Sequence, residues 1–442
     1  MEHLTSRHRW TAVLALALGG VAVGLTEFVA MGLLPEIARD LLPVEWDRST
    51  SDAVAHAGWT ITAYALGVVV GAPLIAALSA RMARKRLVLG LLLLFVAGTI
   101  ASAVAPTFEL VLVARFVAAL PHGAYFGAAG LLAAALMGPG NEARGFAAVL
   151  GGLTISNVVG VPLVTLLGQA AGWRVAYFAI AGVFVLTLFA VVAVVPDLKA
   201  AVQGSPAAEL RSLRHPQVWL VAATASIGFA GFFAINSYIA PYTTDVAGLS
   251  AGTVPWVLAA IGLGMTVGNF LGGWLADRNV RRATLIGFPC MIAGSVFFAL
   301  AADTPAGLFA GAFLIGATSL FLGPTLQARL IAVAPGAQLM GAAVNQSAMN
   351  IANSLGAALG GLVIARGFGY EAPAWVGVVL GTVGFGMAAV SFALDRRSHT
   401  RAAAATTTTA VTAGSTTTPV AAATAASAAT ASAPAEEAPA AR

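Results

Sequence analysis

Three residues could move charge inside an otherwise apolar chain: Glu27, Arg115 and His122. Glu27 is the one charge in the 24-residue run 11–34. A run of that kind reads as a membrane-crossing helix, which takes ~20 apolar residues at about 1.5 Å rise each. Keeping an acid ionised at that depth costs on the order of 2.5–3.5 kcal/mol. Such acids bind protons or substrate in a cavity, or are paired inside the bundle; proton binding is the expectation for Glu27. Arg115 and His122 share one later apolar run. A Glu27–Arg115 ion pair would offset both burial costs, and a neutral His122 could relay or accept a proton. His122 follows Pro121 in a glycine-rich stretch, so it could instead hydrogen-bond a freed backbone carbonyl.

The composition defines what holds these groups. Of 442 residues, 59% are hydrophobic and 9% charged, against about 25% charged in soluble domains. Mean hydropathy is +0.88. These values describe a polytopic membrane protein. The net charge of +5 comes from short basic clusters between apolar runs, so no nucleic-acid partner is implied. A single cysteine, Cys290, excludes an internal disulfide and a CxxC site. Walker A, HExxH and Cys/His metal spacings are all missing, so the sequence implies no enzyme chemistry, metal or other cofactor.

Apolar runs bounded by charge, Pro or Gly predict twelve helices. The first six cover 11–34, 55–79, 86–105, 108–137, 145–169 and 174–195; the second six cover 217–240, 253–276, 282–302, 306–332, 338–365 and 373–394. The predicted fold class is an all-α membrane protein of twelve transmembrane helices in two six-helix pseudo-repeat halves. Its divisions are a cytoplasmic N-terminus (1–10), an N-terminal half (11–195), a cytoplasmic linker (196–216), a C-terminal half (217–395) and a disordered Ala/Thr-rich tail (396–442). Placing 18 of the 23 basic residues inside puts both termini in the cytoplasm. Glu27 and Arg115 then fall in the outer half of the membrane and His122 nearer its centre.

The halves repeat. Residues 155–160 match 351–356 and residues 124–127 match 320–323 at an offset of 196, and the basic turn at 78–86 recurs at 275–282. Duplicated transporters of this kind place their substrate near the midplane between the halves. Amides and aromatics inside spans could recognise a moderately polar, partly aromatic small molecule there: Phe28, Met31, Tyr64, Phe126, Asn157, Asn236, Tyr238, Gln327, Asn345 and Asn350, with Phe232, Phe233, Asn269, Gln346 and Asn353 as further amides and rings. Stacked amides could equally be interhelical glue. Gly152, Gly160, Pro162 and Gly168 in the fifth run, with Gly341, Gly356, Gly360 and Gly361 in the eleventh, allow close helix packing and are also read as a sliding contact during alternating access. Asp277 beside Arg278, Arg281 and Arg282 could dock on a neighbouring helix end and release it, a conformational latch in which Arg81 of the first-half turn would take part.

These residues carry a family resemblance. Residues 273–282 (GWLADRNVRR) resemble the loop signature of the major facilitator superfamily. Residues 25–38 (LTEFVAMGLLPEIA) look like the first-helix signature of its twelve-span drug:proton antiporter group, and 115–124 (RFVAALPHGA) match that group's fourth-helix Arg motif. Residues 152–168 resemble its antiporter motif. Residues 64–73 (YALGVVVGAP), 121–123 and 341–361 look most like the arabinose-type sugar efflux permeases, with the chloramphenicol exporters close behind. One departure stands out: in 78–85 (LSARMARK) the family's acid is Ala80 and its glycine Ala83, so only Asp277 carries the latch acid over. The resemblance implies a multi-pass, monomeric exporter of the cell membrane. It would exchange protons for a small molecule such as a drug or sugar, with the lipid bilayer its only other partner. Two alternatives stay open: uptake of a sugar or nucleoside by the same fold, and a membrane sensor that no longer transports.

Overall fold

The computed structural model describes residues 5–79, 82–138, 140–197, 214–333 and 338–414. Every regular element among them is a helix. In hydrocarbon no water is present to satisfy a backbone N–H or C=O, and a helix satisfies both internally. Span 1 is Ser6–Gly32, span 2 Trp59–Ser79, span 3 Arg84–Val104 and span 6 Trp173–Val194. Spans 10, 11 and 12 are Pro305–Val333, Gln338–Val363 and Ala372–Gly414.

The breaks in the remaining spans position the site. Span 4 is two segments, Phe108–Ala119 and His122–Met137, parted at Leu120 and Pro121. Proline lacks an N–H and crowds the preceding turn, which ends the first segment and places His122 at the head of the second. Span 5 runs Glu142–Ile155, widens into a π-turn at Ser156–Gly160 and resumes as Val161–Ala171. Pro162 follows that wide turn and removes one donor from the ladder. Span 7 is divided at Phe229 into Pro216–Gly228 and Ala230–Asn236.

Spans 8 and 9 run on as one helical stretch, Val254–Ala301, of 48 residues. At 1.5 Å per residue it would measure about 72 Å, over twice the ~30 Å hydrocarbon thickness. Asn279 breaks it with non-helical φ −163° and ψ 94°. The chain therefore crosses twice here, and the 11 apolar helices of sufficient length among the described residues make twelve crossings.

Two stretches differ from expectation. The connection after span 1 is built of short helices, Leu34–Leu41, Pro43–Arg48 and Thr50–Ala57. Pro35 and Pro43 sit in the first turns of two of them, where a missing N–H costs nothing. The last helix continues to Gly414, past the boundary at 395 where disorder was expected. Alanine, abundant in 402–405, has the highest helix propensity; residues 415–442 lie outside the described residues.

The connection after span 1 is tied down by Asp40. It forms an ion pair with Arg174 and accepts a hydrogen bond from Trp173 Nε1 at 2.9 Å, while Arg174 Nη2 donates to Ala105 O at 3.1 Å. Burial works to raise the Asp40 carboxyl, but the Arg174 and Trp173 hydrogen bonds and the Arg174 charge outweigh it and hold the group below the usual carboxylate range.

Candidate functional site

Span 1 carries Glu27 into the middle of the bundle. Thr26, Glu27 and Phe28 are all buried, with Glu27 only 7% exposed. Its Oε1 accepts a hydrogen bond from Asn353 Nδ2 of span 11 at 3.4 Å. Its Oε2 lies 3.9 Å from His122 Nε2 of span 4. The carboxylate is thus held by one group from its own half and one from the other.

His122 does not serve a freed backbone carbonyl. Tyr64 Oη of span 2 lies 3.2 Å from its Nδ1, and Gln346 Nε2 of span 11 lies 3.5 Å from its Nε2. Phe126, one turn on, packs against the imidazole with ring centroids 5.4 Å apart. The break at Pro121 is what turns the first residue of the new segment toward this cluster.

Arg115 corrects the sequence expectation. It is fully buried, yet the ion pairs among the described residues do not join it to Glu27. Its Nη1 donates instead to the Thr26 carbonyl at 2.6 Å and to Thr26 Oγ1 at 3.3 Å. Its guanidinium lies over the Tyr64 ring at 4.3 Å and the Tyr177 ring at 5.6 Å. Cation–π stacking and a charge-assisted bond to a carbonyl hold the cation, so Arg115 anchors the residue before Glu27 and acts on the carboxylate through its charge, while His122 and Asn353 supply the direct contacts. Nε and Nη2 of Arg115 remain buried without a hydrogen-bond partner.

The other expected residues scatter around this centre. Asn236 Nδ2 of span 7 donates to Met31 Sδ of span 1 at 3.0 Å, joining the halves. Asn350 is buried and donates to Gln346 O at 2.9 Å; Asn345 is buried one residue before Gln346. Asn157 and Tyr238 are spent on backbone carbonyls, those of Leu153 at 3.1 Å and Ala357 at 2.8 Å. Gln327 is half-buried in span 10. Sequence reasoning named Gln346 and Asn353 as amides but not as partners of His122 and Glu27. Their signal was the spacing 346, 350, 353, one face of a helix.

The antiporter-motif residues pack within their own half. A Cβ at Gly152 would collide with Ala17 O of span 1, and one at Gly160 or Gly168 would meet the side chains of Leu25 or Leu33; Pro162 is buried beside them. Contact of span 5 with the second half runs elsewhere, through the Asn157 carbonyl, 2.5 Å from where a Cβ on Gly262 would sit. At the end of the bundle nearest Glu36 the halves also meet, because a Cβ at Gly58 or Gly361 would strike the Tyr238 hydroxyl and Gln169 Nε2 donates to Ala251 O at 2.9 Å. At the opposite end Asp277 is exposed and makes no ion pair among the described residues. Arg278 stacks on Trp274 at 3.8 Å, Arg282 N donates to Asn279 Oδ1 at 2.9 Å, and Arg281 Nε is buried without a partner. Arg81 lies outside the described residues.

Comparison with known proteins agrees with this architecture. The profile of the Major Facilitator Superfamily matches residues 16–328 and 234–435. "Inner membrane transport protein YdhP" of Escherichia coli K12 is 36% identical over 360 residues, covering 81% of this chain and 90% of that protein. "Chloramphenicol resistance protein" of Streptomyces lividans is 34% identical over 373 residues, covering 83% and 92%. A crystal structure of a bacterial homologue of the human lysosomal transporter Spinster superposes with a TM-score of 0.68 at 16% identity, covering 88% of this chain and 98% of that one. The chain belongs to the major facilitator superfamily. It is a multi-pass membrane transporter.

Proposed function

We propose that this chain is a proton-coupled exporter of a small molecule in the cytoplasmic membrane. Both termini lie in the cytoplasm, and the halves 11–195 and 217–395 rock about the Glu27 cluster. The observation that carries the proposal is Glu27 itself: a buried acid in span 1 touching an imidazole of its own half and an amide of the other. A group so placed can couple proton binding to the engagement of the halves. A proton arriving from outside would neutralise Glu27, release substrate and permit return to the inward-open state. Loss of that proton to the cytoplasm would reset the site for loading. Efflux is favoured over uptake because relatives that align over more than four-fifths of this chain include one named for chloramphenicol resistance.

Asp277, with Arg278, Arg281, Arg282 and Arg81, would close the cytoplasmic end in the outward-open state. Its exposure, with no ion pair among the described residues, fits a latch that is open here. The buried amides and rings around Glu27 suit a moderately polar ligand, and one chain suffices to build the site.

Everted vesicles containing the overexpressed chain test the proposal, with chloramphenicol first in a panel of antibiotics, dyes and sugars. Substrate addition should move protons out of the vesicle lumen in the wild type, and Glu27→Gln should abolish the signal. Full antiport by that variant would sink the mechanism, and proton movement in the opposite sense would show uptake.

A further inference from the structure

Span 11 places Gln346, Asn350 and Asn353 on one helical face. Two of them cross to the first half: Asn353 Nδ2 bonds Glu27 Oε1 at 3.4 Å, and Gln346 Nε2 lies 3.5 Å from His122 Nε2. Asn353 is 1% exposed, yet its Oδ1 is buried with no hydrogen-bond partner.

That unused acceptor has a chemical reading. An ionised carboxylate only accepts hydrogen bonds, whereas a protonated one carries an O–H that must also donate. A primary amide offers both kinds of atom. Asn353 can give Nδ2–H to the carboxylate and, by turning its amide, take the O–H of the acid on Oδ1. Gln346 stands in the same relation to His122. For its N–H to reach Nε2, that nitrogen must be bare, with the ring proton on Nδ1 facing Tyr64 Oη at 3.2 Å. A proton on Nε2 would require Gln346 to present its carbonyl oxygen instead.

We propose that Asn353 and Gln346 are positioning residues of the proton site, through which the second half reads the protonation state of Glu27 and His122. The proposal rests on Glu27 being the proton-binding group. The groups in direct contact with that carboxylate are His122 from span 4 and Asn353 from span 11, and the charge of Arg115 from span 4 also acts on it. Arg115 of span 4 acts on the neighbouring Thr26 carbonyl, with Tyr64 of span 2 and Tyr177 of span 6 stacked on it. Each proton taken up from water changes one acceptor into a donor and forces one amide to turn. The hydrogen bonds that join the halves therefore change strength with protonation.

The test uses the full chain with Cys290→Ser, spin-labelled at Thr50→Cys and Ser250→Cys, exposed positions on different halves. Distances between the labels are measured in lipid nanodiscs from acid to alkaline pH. The wild-type distance should shift with pH, and Glu27→Gln should remove the shift. Asn353→Asp, nearly isosteric, should raise the midpoint by about one pH unit or more, because two adjacent carboxyls resist ionising together. Gln346→Leu should cut the amplitude by at least half, with Gln346→Asn restoring part of it. If Glu27→Gln abolishes the shift while Asn353→Asp and Gln346→Leu keep the wild-type midpoint and amplitude, the role of span 11 is overturned and Glu27 stands. A shift that survives Glu27→Gln overturns the proton site itself.

Discussion

The two halves share a scaffold but not a chemistry. At the repeat offset of 196, Arg115 and His122 of span 4 fall on Gly311 and Thr318 of span 10. Gly311 packs against Phe298, and Thr318 bonds back to Leu314 O at 2.8 Å. Asn157 and Asn353 are repeat partners, yet Asn157 is turned onto its own helix while Asn353 reaches Glu27. The first half holds the ionisable groups of the Glu27 cluster, and the second supplies the amides that touch them. A proton site with all its partners in one half could titrate without moving anything. Divided between halves, its hydrogen bonds would break or form in the rocking proposed above.

The largest effect expected from breaking this asymmetry is Glu27→Gln, with complete loss of substrate-driven proton movement in vesicles while membrane insertion is retained. Next comes Arg115→Gly, which gives span 4 the residue of span 10. It leaves the Thr26 carbonyl without its charged donor and should cost about 2–3 kcal/mol, measured as a lower unfolding midpoint in detergent. Gly152→Ala and Gly356→Ala test one close helix contact in each half, at positions that are not repeat equivalents. A Cβ at Gly152 collides with Ala17 O and one at Gly356 with Ala230 O, so both should destabilise alike, by about 1–3 kcal/mol. Unequal losses would show that the shared scaffold is loaded unevenly.

The smallest effect is Asp40→Asn, which removes an ion pair peculiar to the first half. With both partners about a third or more exposed, the loss at neutral pH should be about 0.2–1 kcal/mol. Because folding depresses the Asp40 carboxyl below its ordinary value of 3.8, its stabilisation is present above that value and fades as pH falls through the folded one. Wild type and variant should therefore converge in thermal melts at strongly acid pH.

The architecture was largely legible in the residues. Twelve apolar runs each had to become a helix, because a continuous apolar run of about 20 residues fits a spanning helix and is about twice the length of a barrel strand. The cost of a buried acid singled out Glu27, and the same logic found Arg115 and His122. Partner choice was not legible. Charge alone favours a Glu27–Arg115 pair, but Pro121 breaks span 4 between Arg115 and His122 and sends the two side chains to different neighbours. Arg115 meets the Thr26 carbonyl and two tyrosine rings and reaches the carboxylate only through its charge, and the direct contacts of Glu27 are an imidazole and an amide 326 residues away in sequence. Burial cost depends only on a residue's type and its depth, which apolar run lengths disclose. Pairing depends on where helix breaks and glycine contacts aim each side chain, and those are set only when the spans pack together.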